Sequence, residues 1–163
     1  MASQNFLRST VKIAQNIFSL AKLLSEEKFI LYCNDKAVFE TLKDSAPSNL
    51  ELISEYVAPE FIYPKAKAIL CRAGRNTVSE ALFLKIPTVL FSTQGDFRST
   101  EQNENIERAC ELSNGFMQKC FISEPPTEIA RKLHDAMKNS NADSKFVAGN
   151  DVVLDYIENI LQD

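Results

Sequence analysis

The strongest constraint on the fold is a repeated pattern of short apolar runs separated by segments with helical periodicity. The runs Phe29–Cys33 and Ala68–Cys71 show no alternation of apolar and polar residues, which indicates strands covered on both faces. In Asn5–Leu24, by contrast, apolar residues recur at helical spacing. Since parallel neighbouring strands need crossover connections, this alternation predicts an α/β fold: a Rossmann-like parallel sheet with helices on both faces.

The same patterns set the expected bounds of the other elements. Strands are expected at Phe29–Cys33, Leu50–Val57, Ala68–Cys71 and Thr88–Phe91, with a weaker one at Gly115–Lys119. Helices are expected at about Asn5–Leu24, Lys36–Lys43, Thr77–Leu84, Thr100–Leu112, Pro126–Lys138 and Asp151–Leu161, with a short helix or turn at Glu60–Lys65. The polar segment Lys138–Asn150 is expected to be a flexible surface loop. With no internal repeat and no linker, residues 1–163 are predicted to form a single domain.

Charge and residue usage exclude several classes of function. The net charge is −4 and the basic residues are scattered, so no basic face is expected for nucleic acid. The four cysteines form no CxxC pair and the one histidine, His134, is expected on the surface, so we expect neither a metal site nor a cofactor. Arg8, Lys12 and Lys22 interrupt the apolar N-terminal segment, which argues against a signal peptide or membrane span and favours a buried amphipathic helix. Cys33 and Cys71 lie in apolar runs, which favours buried thiols in a reducing cytoplasm.

The first candidate site is the segment from Cys71 to Glu80, where a strand leads through Gly74 into a helix. The amides at a helix start, with the helix dipole behind them, attract phosphate or another anion. A plain strand-to-helix turn explains the same spacing. Thr77 and Glu80 also match a capping box, so Glu80 has two open interpretations: it closes its own helix, or it accepts hydrogen bonds from ribose hydroxyls.

The second candidate site is the polar run from Ser99 to Asn105, which opens the helix after the Thr88–Phe91 strand. Side-chain amides and carboxylates suit sugar hydroxyls, which both donate and accept hydrogen bonds. A second capping box, from Ser99 to Gln102, is the alternative interpretation. Both candidates follow predicted strands, at the sheet edge where ligands of parallel α/β folds bind.

Taken in order, these segments resemble the C-terminal, donor-binding domain of GT-B glycosyltransferases, the glycosyltransferase family 28 C-terminal domain. Within it, the chain is most similar to the bacterial N-acetylglucosaminyltransferase that completes lipid II, and its relatives. The resemblance extends from Ser3 to about Lys138. It rests on Ser54-Glu55-Tyr56-Val57, Cys71-Arg72-Ala73-Gly74, Thr77-Val78-Ser79-Glu80, Ile86-Pro87 and Glu101-Gln102-x-x-Asn105.

The resemblance implies a role for each matching position. Val57 is expected to place its backbone against uracil, and Gly74, Asn76 and Thr77 to meet the diphosphate. Glu80 is expected to hold the ribose hydroxyls. Glu101 and Gln102 are expected to meet the sugar, while Asn105 supports that helix start. The family typically needs no metal, and backbone amides offset the charge on the leaving diphosphate.

The chain departs from the family pattern in two places. Glu101 stands where the family has glutamine, and a carboxylate, which only accepts hydrogen bonds, favours different sugar hydroxyls. Met1-Ala2 stands where a strand and a Gly-Gly loop are expected, with Ser3 and Gln4 continuing the loop pattern and Ser3 counted among the donor-binding residues. Loss of this central strand is expected to leave neighbouring strand edges unpaired. We therefore expect a fragment or a truncated start.

The expected function is binding of a UDP-sugar by half of a glycosyltransferase that transfers a hexosyl group, such as N-acetylglucosaminyl, to an unidentified acceptor. The catalytic residues are not assigned, because the acceptor-binding half usually supplies the base. That half, as an N-terminal domain or a separate subunit, is the expected partner, and any peripheral membrane association is expected only through it. The isolated chain is expected to be inactive. A nucleotide-sugar hydrolase domain and a non-catalytic subunit are the alternatives.

Overall fold

The computed structural model describes residues 2–95, 98–147 and 149, and within them it has the α/β architecture that the pattern predicts. The strands are β1 Phe29–Tyr32, β2 Leu50–Ile53, β3 Ile69–Arg72, β4 Thr88–Ser92 and β5 Met117–Phe121. The helices are α1 Ala2–Leu23, α2 Lys36–Leu42, α3 Pro59–Ile62, α4 Arg75–Phe83, α5 Ser99–Leu112 and α6 Pro126–Lys138. Short 3-10 turns follow α2 at Lys43–Ser45 and α3 at Tyr63–Lys65.

The strands form two separate parallel ladders. In one, β1 pairs with β2, Phe29 lying opposite Leu50. In the other, β4 lies between β3 and β5. The residues before β1 and β3 are joined by an ion pair, Lys67 Nζ to Glu27 Oε2 at 3.3 Å, so the two ladders begin close together. Among the described residues, no strand pairing joins the two ladders.

Two apolar clusters of described residues cover opposite faces of the second ladder. The first gathers side chains from α1, α2 and α6, and it receives Val89 and Phe91 from β4. The second gathers side chains from α4 and α5, and it receives Leu90 from the same strand. Successive residues of a strand point to opposite faces, so side chains of β4 pack in both clusters. All five residues of β4 are buried. The second ladder is therefore covered on both sides, as predicted for Ala68–Cys71. In the first ladder Ile30 of β1 is 52% exposed, so the prediction that Phe29–Cys33 is covered on both faces is wrong.

Helix α1 is fixed to the end of β3 by Arg72. The guanidinium donates to the Phe6 carbonyl at 3.1 Å, to the Thr10 hydroxyl at 3.0 Å and to the Ser9 hydroxyl. It also lies over the Phe6 ring, 4.3 Å from the ring centroid. Charge-assisted hydrogen bonds and stacking on an aromatic face both favour arginine here. The start of α1 consequently lies at the carboxyl edge of the second ladder.

Two predicted bounds are wrong for identifiable reasons. Strand β2 ends at Ile53 and not at Val57, because its partner β1 offers only four residues to pair with. Helix α1 begins at Ala2, so Ser3 lies in its first turn and not in a loop. The predicted helix Asp151–Leu161 lies outside the described residues.

The segment after α6 is irregular, as predicted, but it is attached to α5. The Lys145 amide donates to the Leu112 carbonyl at 2.8 Å, and Phe146 packs against the second apolar cluster. His134 is exposed, with 80% of its side chain accessible, as the sequence predicts. Among the helices in the described part of the chain, none is long and apolar enough to cross a membrane.

Cys120 is expected to react slowly in the native chain. Its side chain is fully buried, and burial, with a smaller contribution from Glu124, raises the pKa of the Cys120 thiol to about 12. Because the thiolate is the nucleophile, alkylation by iodoacetamide at pH 8 should be roughly a thousandfold slower than in the urea-unfolded chain. Peptide mass spectrometry measures this rate. Equal labelling of Cys120 in native and unfolded protein would contradict the prediction.

Candidate functional site

The start of α4 leaves backbone amides without a side-chain cap. The amides in the first turn of a helix have no hydrogen-bond acceptor within the helix. Gly74 is the N-cap residue of α4, and it has no side chain that could accept a hydrogen bond from them. The capping box predicted at Thr77 is wrong, because α4 begins at Arg75 and Thr77 already lies in its first turn. Gly74 has φ −66°, which any residue adopts, and a Cβ there would meet nothing within 4 Å. The space in front of these amides is open, and the helix dipole favours an anion there.

The Glu80 carboxylate faces Tyr63 and does not close its own helix. The Tyr63 hydroxyl donates to Glu80 Oε2 at 2.5 Å, a contact between the 3-10 turn after α3 and the second turn of α4. Both side chains are half-buried. Of the two open interpretations of Glu80, helix capping is therefore wrong, while ribose binding stays a prediction.

The start of α5 lies next to the start of α4. Glu101 Oε1 accepts from Arg75 at 3.3 Å, with both side chains more than half exposed. The capping box predicted from Ser99 to Gln102 is wrong, because α5 begins at Ser99 and Arg98 occupies the cap position. Asn105 Nδ2 donates to the Ala73 carbonyl at 3.0 Å and so connects α5 to the turn before α4.

Two buried polar atoms near the carboxyl end of β4 lack hydrogen-bond partners among the described residues. They are Gln102 Oε1, in the first turn of α5, and Thr93 Oγ1, directly after β4. Neighbouring groups are paired: Ser92 Oγ donates to Asn103 Oδ1 at 2.7 Å, and Asn103 Nδ2 donates to the Thr93 carbonyl at 3.3 Å. A buried acceptor without a donor costs free energy, so a donor from a ligand or water would stabilise Gln102.

The structure brings most of the sequence-predicted residues to one edge. Contacts between α4 and α5 place Gly74, Asn76, Thr77, Glu80, Glu101, Gln102 and Asn105 at the carboxyl end of the second ladder. Asn5 Nδ2 donates to the Gly95 carbonyl at 2.9 Å, which places the first turns of α1, and with them Ser3, at the same edge. Val57 lies in the loop after β2, in the segment that continues to Tyr63. Among the described residues, no hydrogen bond joins Val57 to the other predicted residues.

Sequence reasoning missed two residues of this edge, Tyr63 and Arg75. Each meets a predicted residue, Glu80 and Glu101 respectively. Tyr63 is 17 positions from Glu80, and no local pattern connects them. Arg75 could have been predicted from the sequence, because it lies between Gly74 and Asn76, which the resemblance selects.

A parallel sheet covered on both faces, with an uncapped helix start at the carboxyl edge of its strands, defines a Rossmann-like domain. The model of the glycosyltransferase family 28 C-terminal domain matches residues 3–150. The chain belongs to this family, and it is a glycosyltransferase donor-binding domain. No curated protein and no solved structure matches the chain significantly.

Proposed function

We propose that the chain binds a UDP-sugar at the edge formed by the starts of α4 and α5. The observation that carries the proposal is the pairing of uncapped amides at the start of α4 with a half-buried carboxylate, Glu80, one turn further along. The amides suit a diphosphate and the carboxylate suits a ribose, which are two adjoining parts of one nucleotide. Membership of the family supports the same reading.

The sugar is proposed to lie against the start of α5. Gln102 offers a buried oxygen that lacks a donor among the described residues, and sugar hydroxyls are donors. Glu101 is ion-paired with Arg75 on the surface. A sugar hydroxyl that donates to Glu101 therefore shares the carboxylate with the Arg75 guanidinium. The sugar that is transferred is proposed to be a hexosyl group, such as N-acetylglucosaminyl. Its transfer is proposed to require the acceptor-binding half, on the same polypeptide or as a separate subunit, in the cytoplasm.

Calorimetry with UDP, UDP-N-acetylglucosamine, CMP and ADP tests the proposal. Uridine nucleotides should bind best, and Glu80→Ala should weaken them about 10- to 100-fold, because a hydrogen bond to a charged group is worth about 1.5–3 kcal/mol. Glu111→Ala is the matched control, since Glu111 is exposed near the far end of α5. Equal, negligible binding of all four nucleotides would support a non-catalytic subunit instead.

Hydrolase and transferase activities are separated by a second measurement. With the acceptor-binding half added, a transferase consumes the nucleotide-sugar only when an acceptor is present. A hydrolase releases free sugar from the same donor without an acceptor. Acceptor-independent release at an undiminished rate would reject the proposed transferase function while leaving nucleotide binding intact.

A further inference from the structure

The contact between Tyr63 and Glu80 is a strong hydrogen bond. The two oxygens are 2.5 Å apart, at the short end of the range for a hydroxyl donating to a carboxylate. Burial, followed by the Glu80 hydrogen bond, raises the pKa of the Tyr63 phenol well above its ordinary value of 10. The phenol is therefore protonated throughout the neutral range, and it remains a donor to Glu80.

Tyr63 also interacts with the first turn of α4. The nearby Thr77 side chain lowers the Tyr63 pKa and offsets part of the rise. Thr77 and Glu80 are three positions apart, so their side chains lie on one face of the helix. The phenol therefore bonds the carboxylate that shares a helix face with Thr77, in the turn that carries the uncapped amides.

The hydrogen bond leaves the second carboxylate oxygen accessible to other donors. Tyr63 occupies Glu80 Oε2, and within residues 2–95, 98–147 and 149 no side chain or amide donates to Oε1. A half-buried glutamate on a helix has several rotamers, and ordering it costs conformational entropy. A phenol that fixes Oε2 reduces that cost before any ligand binds.

We propose that Tyr63 is a positioning residue of the nucleotide site: it holds the Glu80 carboxylate so that Oε1 accepts from the ribose hydroxyls. This inference rests on the proposed binding of a uridine nucleotide. Tyr63 itself touches no part of the nucleotide, and it acts through Glu80. Its contribution to affinity should therefore depend on the ribose hydroxyls.

The test is calorimetry of the full chain with UDP and with 2′,3′-dideoxyuridine diphosphate. Tyr63→Phe removes one oxygen and should weaken UDP binding about tenfold, with little effect on the dideoxy nucleotide. Tyr32→Phe in β1 is the matched control and should change neither affinity. In the Glu80→Ala background, Tyr63→Phe should have no further effect on UDP, because the residue through which Tyr63 acts is gone.

Different outcomes identify which idea fails. Equal losses for both nucleotides would show that Tyr63 only supports the local fold, and unchanged UDP binding by a folded Tyr63→Phe variant would overturn the positioning role alone. If the unaltered chain does not prefer uridine nucleotides, the proposed function fails and this inference with it. Glu80→Gln is a second variant if Tyr63→Phe does not fold, because it keeps the shape of the side chain. It should weaken UDP binding and have little effect on the dideoxy nucleotide.

Discussion

Phe91→Ala is expected to lower the free energy of unfolding by about 3–5 kcal/mol. Phe91 is fully buried in the middle of the second ladder, and it packs in the cluster that also contains side chains of α1, α2 and α6. Removing the ring forfeits its burial and leaves a cavity that the paired strands on either side cannot close. Since domains are stable by only about 5–15 kcal/mol, this is a large fraction of the total.

Urea unfolding followed by circular dichroism measures the effect, because the chain has no tryptophan to report by fluorescence. Phe83→Ala is the matched control. Its ring on α4 is 64% exposed, so its removal should change stability by less than about 1 kcal/mol. If Phe91→Ala does not fold, Phe91→Leu should still cost about 1–2 kcal/mol. Equal midpoints for the Phe91 and Phe83 variants would contradict the assignment of Phe91 to the core.

Arg72→Ala is expected to cost about 2–4 kcal/mol, because it removes charge-assisted hydrogen bonds and a cation–π contact together. The guanidinium holds Phe6, Ser9 and Thr10 of α1 against the end of β3. Arg72→Lys should recover only part of the loss, since an ammonium lacks the planar fork and stacks less well on the Phe6 ring.

Arg131→Ala serves as the control for Arg72. Arg131 pairs with Glu128 and Asp135 at 2.6 Å on the surface of α6, and its side chain is 57% exposed. Surface ion pairs of this kind contribute little to stability, so its variant should unfold near the midpoint of the unaltered chain. Urea midpoints for the three arginine variants settle the comparison. A larger loss for Arg131→Ala than for Arg72→Ala would contradict the proposed anchoring of α1.

The sequence predicted the order and type of the elements because both follow from local periodicity. The bounds of α6 agree with the expected residues, and those of β4 and α5 differ by a single residue. The end of β2 was not predictable in this way. Ser54–Val57 has suitable residues for a strand, but the pairing partner ends at Tyr32, and that limit is set by the tertiary fold.

The candidate site was predictable as a set of positions, but its contacts were not. The resemblance selected Glu80 and Asn105, whereas the partner of each lies far along the chain, at Tyr63 and Ala73. The two capping boxes failed because a four-residue pattern does not show where a helix begins. Gly74 and Arg98 occupy the cap positions, each at least one residue before the predicted cap.

The separation of the sheet into two ladders has a consequence for temperature. Helix α1 joins the ladders by the apolar cluster around it, by the Arg72 hydrogen bonds and by the exposed ion pair between Lys67 and Glu27. Apolar association weakens on cooling, whereas hydrogen bonding between adjacent strands does not share that dependence to the same degree. We therefore expect cooling to weaken the apolar part of this junction more than the hydrogen bonds between paired strands.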